Sequence, residues 1–265
     1  MIDLHCHILC NLDDGPASME ETLSMALRAV NDGIHTIVAT PHTLNGVYEN
    51  SFDRVARAVM QTQEILNQKN IPLKLVPGGE NHLCAGLSEK IRNGDGCFIN
   101  ANGKYALVEF PFHMLPVRYK EELFAIRLQG IVPVIAHPER SIPFQQEPEL
   151  LAELVEMGCL LQLTAMSITG EFGEQTMRCA HEMLKQRMAH VIASDAHSSK
   201  NRAPVLSSAL EAAADVLKSK ALAMTFFLDH PWGIIEGKEL KIQARPNPNV
   251  RRMTFPERIK AFLGA

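Results

Sequence analysis

The opening stretch MIDLHCHILCNLDDG sets Asp3, His5, Cys6, His7, Cys10, Asp13 and Asp14 side by side, all of them groups that bind protons or metal ions. On an extended strand, residues two apart project to the same side, so His5 and His7 can aim two neutral imidazoles at one ion. Cys6 then points the other way, and it reads with Cys10 as a small apolar residue. Similar groups recur downstream in short signatures: ATPH closes on His42, VPGGE on Glu80, VEF holds Glu109, IAHPER holds His137, and IASDAH contains Asp195 and His197. In LDDG, Asp14 reads equally as a ligand or as an acidic turn residue ahead of a helix, and Asp13 is the weaker candidate. His35, His82, His113, His181, His190 and His230 do not share this placement and read as structural.

Imidazoles and carboxylates without an obligatory thiolate suit Mn²⁺ first, with Fe²⁺, Zn²⁺ or Mg²⁺ as alternatives. One ion needs only three or four donors, so a set this large points to two or three divalent ions sharing a carboxylate. Paired ions about 3.5–4 Å apart can turn a bridging water into hydroxide near neutral pH and neutralise a phosphoryl oxygen. Phosphoester hydrolysis is the natural fit. It also calls for fixed positive charge, and Arg140 and Arg202 follow His137 and His197 closely. The planar fork of Arg matches two phosphoryl oxygens, although each could instead be a surface residue paired with an acid such as Glu139. Lys200 is less persuasive. No Cys is followed six residues later by Arg, and no GxSxG occurs, so neither a cysteine phosphatase loop nor a serine nucleophile is available.

Seven short apolar runs read as the strands that must carry these groups: residues 1–7, 36–40, 73–76, 105–110, 132–136, 160–164 and 191–194. Six of the seven end on a candidate ligand; the sixth run ends on none. Between them lie helical stripes. Ser18 and Glu21 make a capping box for a helix that buries Leu23, Ala26, Leu27 and Val30 and ends at Gly33. Phe52, Val55, Val59 and Leu66 form a second stripe, and Leu150, Leu151, Leu154 and Val155 a third that stops at Gly158. Strand and helix in alternation imply an α/β fold with a parallel sheet. The length of 265 residues suits one (β/α) barrel domain over 1–265, whose carboxyl-end mouth would gather every candidate. An open doubly wound sheet loses weight because no GxGxxG follows the first strand and no P-loop is present.

Composition narrows the function classes. Hydrophobic residues at 46% and charged residues at 21% are ordinary for a globular protein, and a net charge of -4 argues against a nucleic-acid surface. No apolar run is long enough for a membrane span, and the start lacks a signal-peptide pattern. A cytoplasmic protein that is not a membrane protein, with six reduced cysteines, is expected. The apolar AMTFFL near 223 and the tail RMTFPERIKAFLGA read as core or interface.

The motifs MIDLHCHIL with LDDGP, ATPH, GGE, VEFP, AHPER, LTAMSITGEFG and ASDAHSSKNRAP run in order from Met1 to Pro204. Together they resemble the polymerase and histidinol phosphatase superfamily, and more closely its bacterial protein-tyrosine phosphatases from capsular and exopolysaccharide operons. The resemblance implies a distorted seven-stranded (β/α) barrel with a trinuclear site. His5, His7, Glu80 and Asp195 would hold one ion, Glu80 would bridge to a second held by Glu109 and His137, and Asp14, His42 and His197 would hold a third. Arg140 and Arg202 match family arginines that bind phosphate. The implied substrate is phosphotyrosine in the tail of a bacterial tyrosine autokinase. A small phosphomonoester such as histidinol phosphate or a sugar phosphate is the alternative, and a metal-occupied regulatory protein without turnover a third reading. Ala165 and Met166 depart from the small polar residues expected there, which implies a more apolar pocket beside the sixth strand.

Overall fold

The computed structural model describes residues 1–240. The tail segment RMTFPERIKAFLGA and the end of the expected 1–265 domain lie outside the described residues. In chain order the elements are β1 (Ile2–Cys6), α1 (Met19–Asn31), β2 (Thr36–Ala39), β3 (His42–Thr43), α2 (Phe52–Gln68), β4 (Lys74–Pro77), β5 (Glu80–His82), α3 (Leu87–Asn93) and β6 (Tyr105–Glu109). There follow α4 (Tyr119–Leu128), β7 (Val132–Ala136), α5 (Ile142–Gln146), α6 (Glu149–Glu156), β8 (Leu160–Thr164), α7 (Ala165–Thr169) and α8 (Glu174–Lys185). The described chain closes with β9 (Val191–Ala193), α9 (Ser207–Leu217), α10 (Lys220–Thr225) and α11 (Asp229–Ile235).

The fold is α/β with parallel strands. Among the described residues the strands form two sheets, β1-β2-β4 and β3-β5-β6-β7-β8-β9. The seven expected runs become nine strands because the second and third each break and resume. Pro41 has no N–H to give to a ladder, and after it β3 pairs with β5 rather than continuing the pairing of β2 with β4. Gly78 and Gly79 break the other run where side chains crowd in: a Cβ would meet Val38 Cγ1 at 2.7 Å at the first and Cys97 Cβ at 2.6 Å at the second. At the far side a single bridge, Cys6 with Ala196, brings the end of β1 beside the chain leaving β9.

Strand alternation divides the core into two faces. Ile2, Leu4, Val38, Val76, Leu107, Val134, Ala136, Leu160, Val191 and Ala193 pack on Ile234 and Ile235 of α11. The intervening residues, among them Ile37, Leu75, Val108, Ile135, Leu161 and Ile192, pack against the other helices. Ala223, Phe226 and Phe227 are buried in that second cluster, so most of AMTFFL packs as core, while Leu228 at its end is exposed. Ala165 is buried there too, and Met166 is half-buried.

Two local expectations for α1 need correction. Ser18 caps the helix by accepting from the Glu21 N–H at 3.3 Å, but the Glu21 carboxylate accepts from Ser199 N–H at 2.7 Å instead of completing the box. The buried stripe is Thr22, Met25, Ala26 and Ala29, and Leu27 is 49% exposed. Gly33 does end the helix, with φ +86 after the Asp32 cap. The second and third stripes bury Val55, Val59 and Leu66, and Leu151 and Leu154.

Gly79→Ala should destabilise the fold by about 1–3 kcal/mol, the usual cost of overpacking a buried contact. Urea unfolding of the two proteins would measure it, and an unchanged midpoint would show that the Cys97 side chain yields.

Candidate metal centre

All the candidate ligands come together, most of them at or just past the carboxyl ends of strands and His42 and Glu80 at the first residues of β3 and β5. Two of them get there by breaking the strand alternation. Along β1 the register shifts between Asp3 and Cys6. This irregularity lets Leu4 pack in the α11-facing cluster while the next residue, His5, turns to the site and Cys6 packs on the helix side. The expectation that His5 and His7 share a side opposite Cys6 agrees with this. After β7, Ala136 already occupies the α11-facing side, so His137 would point away on a continuing strand. Its left-handed backbone, φ +33, brings the ring round to Glu80. Asp195 is left-handed as well, φ +52. Non-glycine residues held there carry strain that the surrounding structure must support.

The donor atoms have the spacing of a metal cage. Four donors about 2.1 Å from one ion at tetrahedral angles lie about 3.4 Å apart. His5 Nε2 and His7 Nε2 are 3.1 Å apart. They lie 3.3 and 3.4 Å from Glu80 Oε2, and each is 3.5 Å from Asp195 Oδ1. The other Glu80 oxygen, Oε1, is 3.0 Å from His137 Nε2, which is 3.9 Å from Glu109 Oε1. Asp14 Oδ1 lies 3.3 Å from His197 Nε2 and 3.6 Å from His42 Nε2. His42 stands between groups, since its Nδ1 is 2.9 Å from Glu80 Oε2 and 3.6 Å from Glu109 Oε2. Three sets close enough to hold an ion result: His5 with His7 and Glu80; His42 with Glu80 and Glu109; and His7 with Asp14, His42 and His197. Glu80 Oε2 and His42 Nδ1 are buried and, although 2.9 Å apart, make no well-directed hydrogen bond, as two ligand atoms converging on a cation would be placed.

Outside this cage, oxygens hold the rings by their other nitrogens. His5 Nδ1 is 2.8 Å from Gln162 Oε1, His7 Nδ1 is 2.6 Å from Asp13 Oδ2, and His197 Nδ1 is 3.0 Å from the Asp195 carbonyl. With Nδ1–H donating to these oxygens, each Nε2 lone pair faces inward, the arrangement that orients metal-bound histidines. Asp13, the weaker candidate ligand, therefore sits behind the candidate ligand His7, and it also accepts from the His42 N–H at 2.9 Å. Gln162 gives the apparently empty sixth strand a place in the site. Gln162 carries no sequence signal beyond its parity with the strand end, and Asp13 is marked in the sequence only as the weaker of two adjacent acids. His82, read as structural, lies 3.4 Å from Glu109 Oε2.

Both arginines reach the same atom. Arg140 Nη1 is 2.6 Å and Arg202 Nη2 2.7 Å from Asp195 Oδ2, the oxygen turned away from the histidines. Neither pairs with Glu139, which is buried and accepts from the Thr164 N–H at 2.8 Å.

Residues 1–236 match the family model for capsular polysaccharide synthesis, CpsB/CapC. The chain belongs to the CpsB/CapC family. Among curated relatives, tyrosine-protein phosphatase YwqE of Bacillus subtilis is 41% identical over 203 residues, 76% of this chain and 79% of that protein. Tyrosine-protein phosphatase CpsB of Streptococcus pneumoniae is 32% identical over 240 residues, 89% of this chain and 98% of that protein. A crystal structure from a study of YwqE and CpsB as unique metal-dependent tyrosine phosphatases superposes with a TM-score of 0.88 at 34% identity, covering 95% of this chain and 100% of the solved one.

The charge balance of this CpsB/CapC site follows from its burial. Burial alone would raise the Glu80 and Asp195 carboxyls, but the facing His5 with the other imidazoles, joined at Asp195 by Arg202, holds both well below the usual carboxylate range. Burial likewise pulls His5, His7 and His42 down, and it is outweighed by Glu80 and Asp195 at His5, by Asp13 at His7 and by Glu80 at His42, so all three titrate above an ordinary histidine. His197 goes the other way, lowered by burial and by the charge on His7. The hydrogen bond to His197 holds Asp14 low.

Two outcomes are expected. Protons kept on His5, His7 and His42 compete with a cation, so metal uptake at neutral pH should release protons, and affinity should fall as pH drops and rise until those imidazoles are neutral. Calorimetry in buffers of different ionisation enthalpy reads the protons directly; buffer-independent heats would contradict it. Asp13→Ala should weaken metal retention roughly 10–100-fold, as loss of a carboxylate behind a ligand does elsewhere. Equilibrium dialysis with metal analysis would measure it.

Proposed function

We propose that this chain is a divalent-metal-dependent protein-tyrosine phosphatase, acting in the cytoplasm on the phosphotyrosine tail of a bacterial tyrosine autokinase that governs capsular or exopolysaccharide synthesis. The curated relatives named as tyrosine-protein phosphatases support the activity, and the family's description supports the setting. Six unpaired cysteines fit a reducing compartment, and among the described residues no helix is long and apolar enough to cross a membrane. The two sheets are read as one seven-stranded barrel of the polymerase and histidinol phosphatase type, two of whose strands are interrupted at Pro41 and at Gly78–Gly79.

The observation that carries the reading is the meeting of two guanidinium groups at Asp195 Oδ2, beside a cluster of imidazoles and carboxylates. Metal donors alone would serve many hydrolytic substrates. Two adjacent forks of positive charge select an anionic one, and a phosphomonoester is the anion whose oxygens two arginines can share.

In this assignment His5, His7, Glu80 and Asp195 hold one ion, Glu80 with Glu109 and His137 a second, and Asp14, His42 and His197 a third. Mixed imidazole and carboxylate donors suit Mn²⁺, with Fe²⁺, Zn²⁺ or Mg²⁺ as alternatives. Bound ions supply Lewis acidity and charge neutralisation at the phosphoryl group. Arg140 and Arg202 present to the phosphoryl oxygens the N–H edges that face Asp195 Oδ2 and hold those oxygens as charge shifts to the leaving oxygen. Water adds to phosphorus as the bond to the tyrosyl oxygen breaks, giving inorganic phosphate, and tyrosinate, with a pKa near 10, leaves without a strong acid behind it. The half-exposed Asp14 and the partly exposed arginines leave the site open to a segment of protein chain.

Phosphate release should be faster from a phosphotyrosine peptide than from histidinol phosphate or sugar phosphates, and chelation or His137→Ala should abolish it. Arg140→Ala should lower kcat/KM roughly 10–100-fold, about 1.4–2.7 kcal/mol of transition-state stabilisation. Preference for a small phosphate would move the protein to small-molecule metabolism, and metal-loaded protein without turnover on any of them would make it a binding protein.

A further inference from the structure

Beside the donors, two phenyl rings that the chemistry above does not use stack on two groups that it does, His137 and Arg140. The rings of His137 and Phe112 face each other, 5.2 Å between centroids and 26° between planes. The Arg140 guanidinium carbon lies over the Phe112 ring at 4.8 Å and over the Phe172 ring at 4.4 Å. His137 and Arg140 belong to the turn after β7, Phe112 to the loop after β6, and Phe172 to the turn between α7 and α8. Three separate segments therefore meet on one guanidinium.

Each ring is placed by its backbone. The carbonyl of Phe112 accepts from the Ile142 N–H at 2.8 Å, tying the loop after β6 to the segment that carries Arg140. Phe172 sits in a turn closed by the Gly173 N–H donating to the Gly170 carbonyl at 3.0 Å. Both glycines have φ in the left-handed region, +96 and +92, where a side chain would be strained. The GEFG sequence thus delivers one aromatic ring to the edge of the site.

An Arg side chain loses several rotatable bonds when it is fixed, and aromatic faces hold a guanidinium without using its N–H groups. At Arg140 the N–H edge faces Asp195 Oδ2 at 2.6 Å. We infer that Phe112 and Phe172 are positioning residues for phosphoryl binding: they hold the guanidinium by its π-facing surface, so that its N–H edge stays aimed when a phosphoryl group takes it over from Asp195. The inference rests on the assignment of Arg140 to the phosphoryl group and leaves open what the phosphate is attached to.

The test uses the metal-loaded, full-length protein and inorganic phosphate as the probe, with affinity read by calorimetry and with metal content and thermal midpoint measured in parallel. Phe172→Leu carries the test because Phe172 stacks on no candidate ligand. It should weaken phosphate binding about 5–10-fold, and Phe112→Leu should do the same. Phe172→Tyr, which keeps the aromatic face, should return to within about twofold of the unsubstituted protein. In an Arg140→Ala background, Phe172→Leu should cost nothing further, because residues acting through one another do not add. The inference is overturned by an equal loss in both backgrounds, or by unchanged phosphate affinity with a raised KM for a phosphotyrosine peptide, which would put the rings on the substrate's aryl group. Failure of phosphate to bind the unsubstituted protein would overturn it together with the Arg140 assignment. Phosphate binding that behaves as expected, without turnover of phosphotyrosine, would sink the phosphatase reading and leave this one standing.

Discussion

Glu80 is fully buried, and its two oxygens face four imidazoles at 2.9 to 3.4 Å. An isolated carboxylate in such a place would take up a proton, because desolvation disfavours its charge. Here the positive charge drawn onto the surrounding histidines keeps it ionised, and a cation can replace those protons without changing the sign of the balance. The site is therefore a buried negative charge that must always have company. Moving Glu80 by even one side-chain length would leave four rings and a carboxylate without a common centre.

The architecture answers that constraint by ending strands where the charge must sit. A regular strand sends every second side chain into the core, and consecutive residues cannot serve both the core and the site. The chain departs from regularity where this conflict arises. The shifted register of β1 allows Leu4 and His5 to serve together, and the left-handed His137 follows Ala136 in the same way. Pro41 and the Gly78–Gly79 pair end one set of pairings and begin another next to His42 and Glu80. Irregularity of this kind costs local stability, and it is affordable because the flanking strands are buried on both faces.

Much of this is legible in the sequence, for a physical reason. Parallel strands buried on both faces read as apolar runs, and polar groups that repeatedly terminate such runs have few structural explanations. That is why His5, His42, Glu80, Glu109, His137, Asp195 and His197 could be singled out from position alone. The groups that orient them could not. Asp13 and Gln162 act through a neighbouring ring, a contact fixed only by tertiary packing, and Gln162 lies within an apolar run rather than at its end. Leu27 misled because a helical stripe fixes an angle and says little about where neighbouring helices stop covering it. The division of the strands into two sheets was equally invisible, since it depends on which backbone N–H groups find partners beyond a proline.

The sharing of Asp195 has one more consequence. Its Oδ1 looks toward the histidines and its Oδ2 toward both arginines, so the guanidinium charges are already met by a carboxylate of the chain itself. Any anion entering the site competes with that internal partner. A small monoanion such as chloride or acetate brings no more charge than Asp195 already provides and gains little by displacing it. On the proposed assignment of both arginines to the phosphoryl group, a dianion brings more charge and more acceptor oxygens than Asp195 and so favours the exchange. On that proposed assignment the pair of arginines sets a threshold on the charge of an entering anion, because a weak monoanion gains little over the carboxylate already in place.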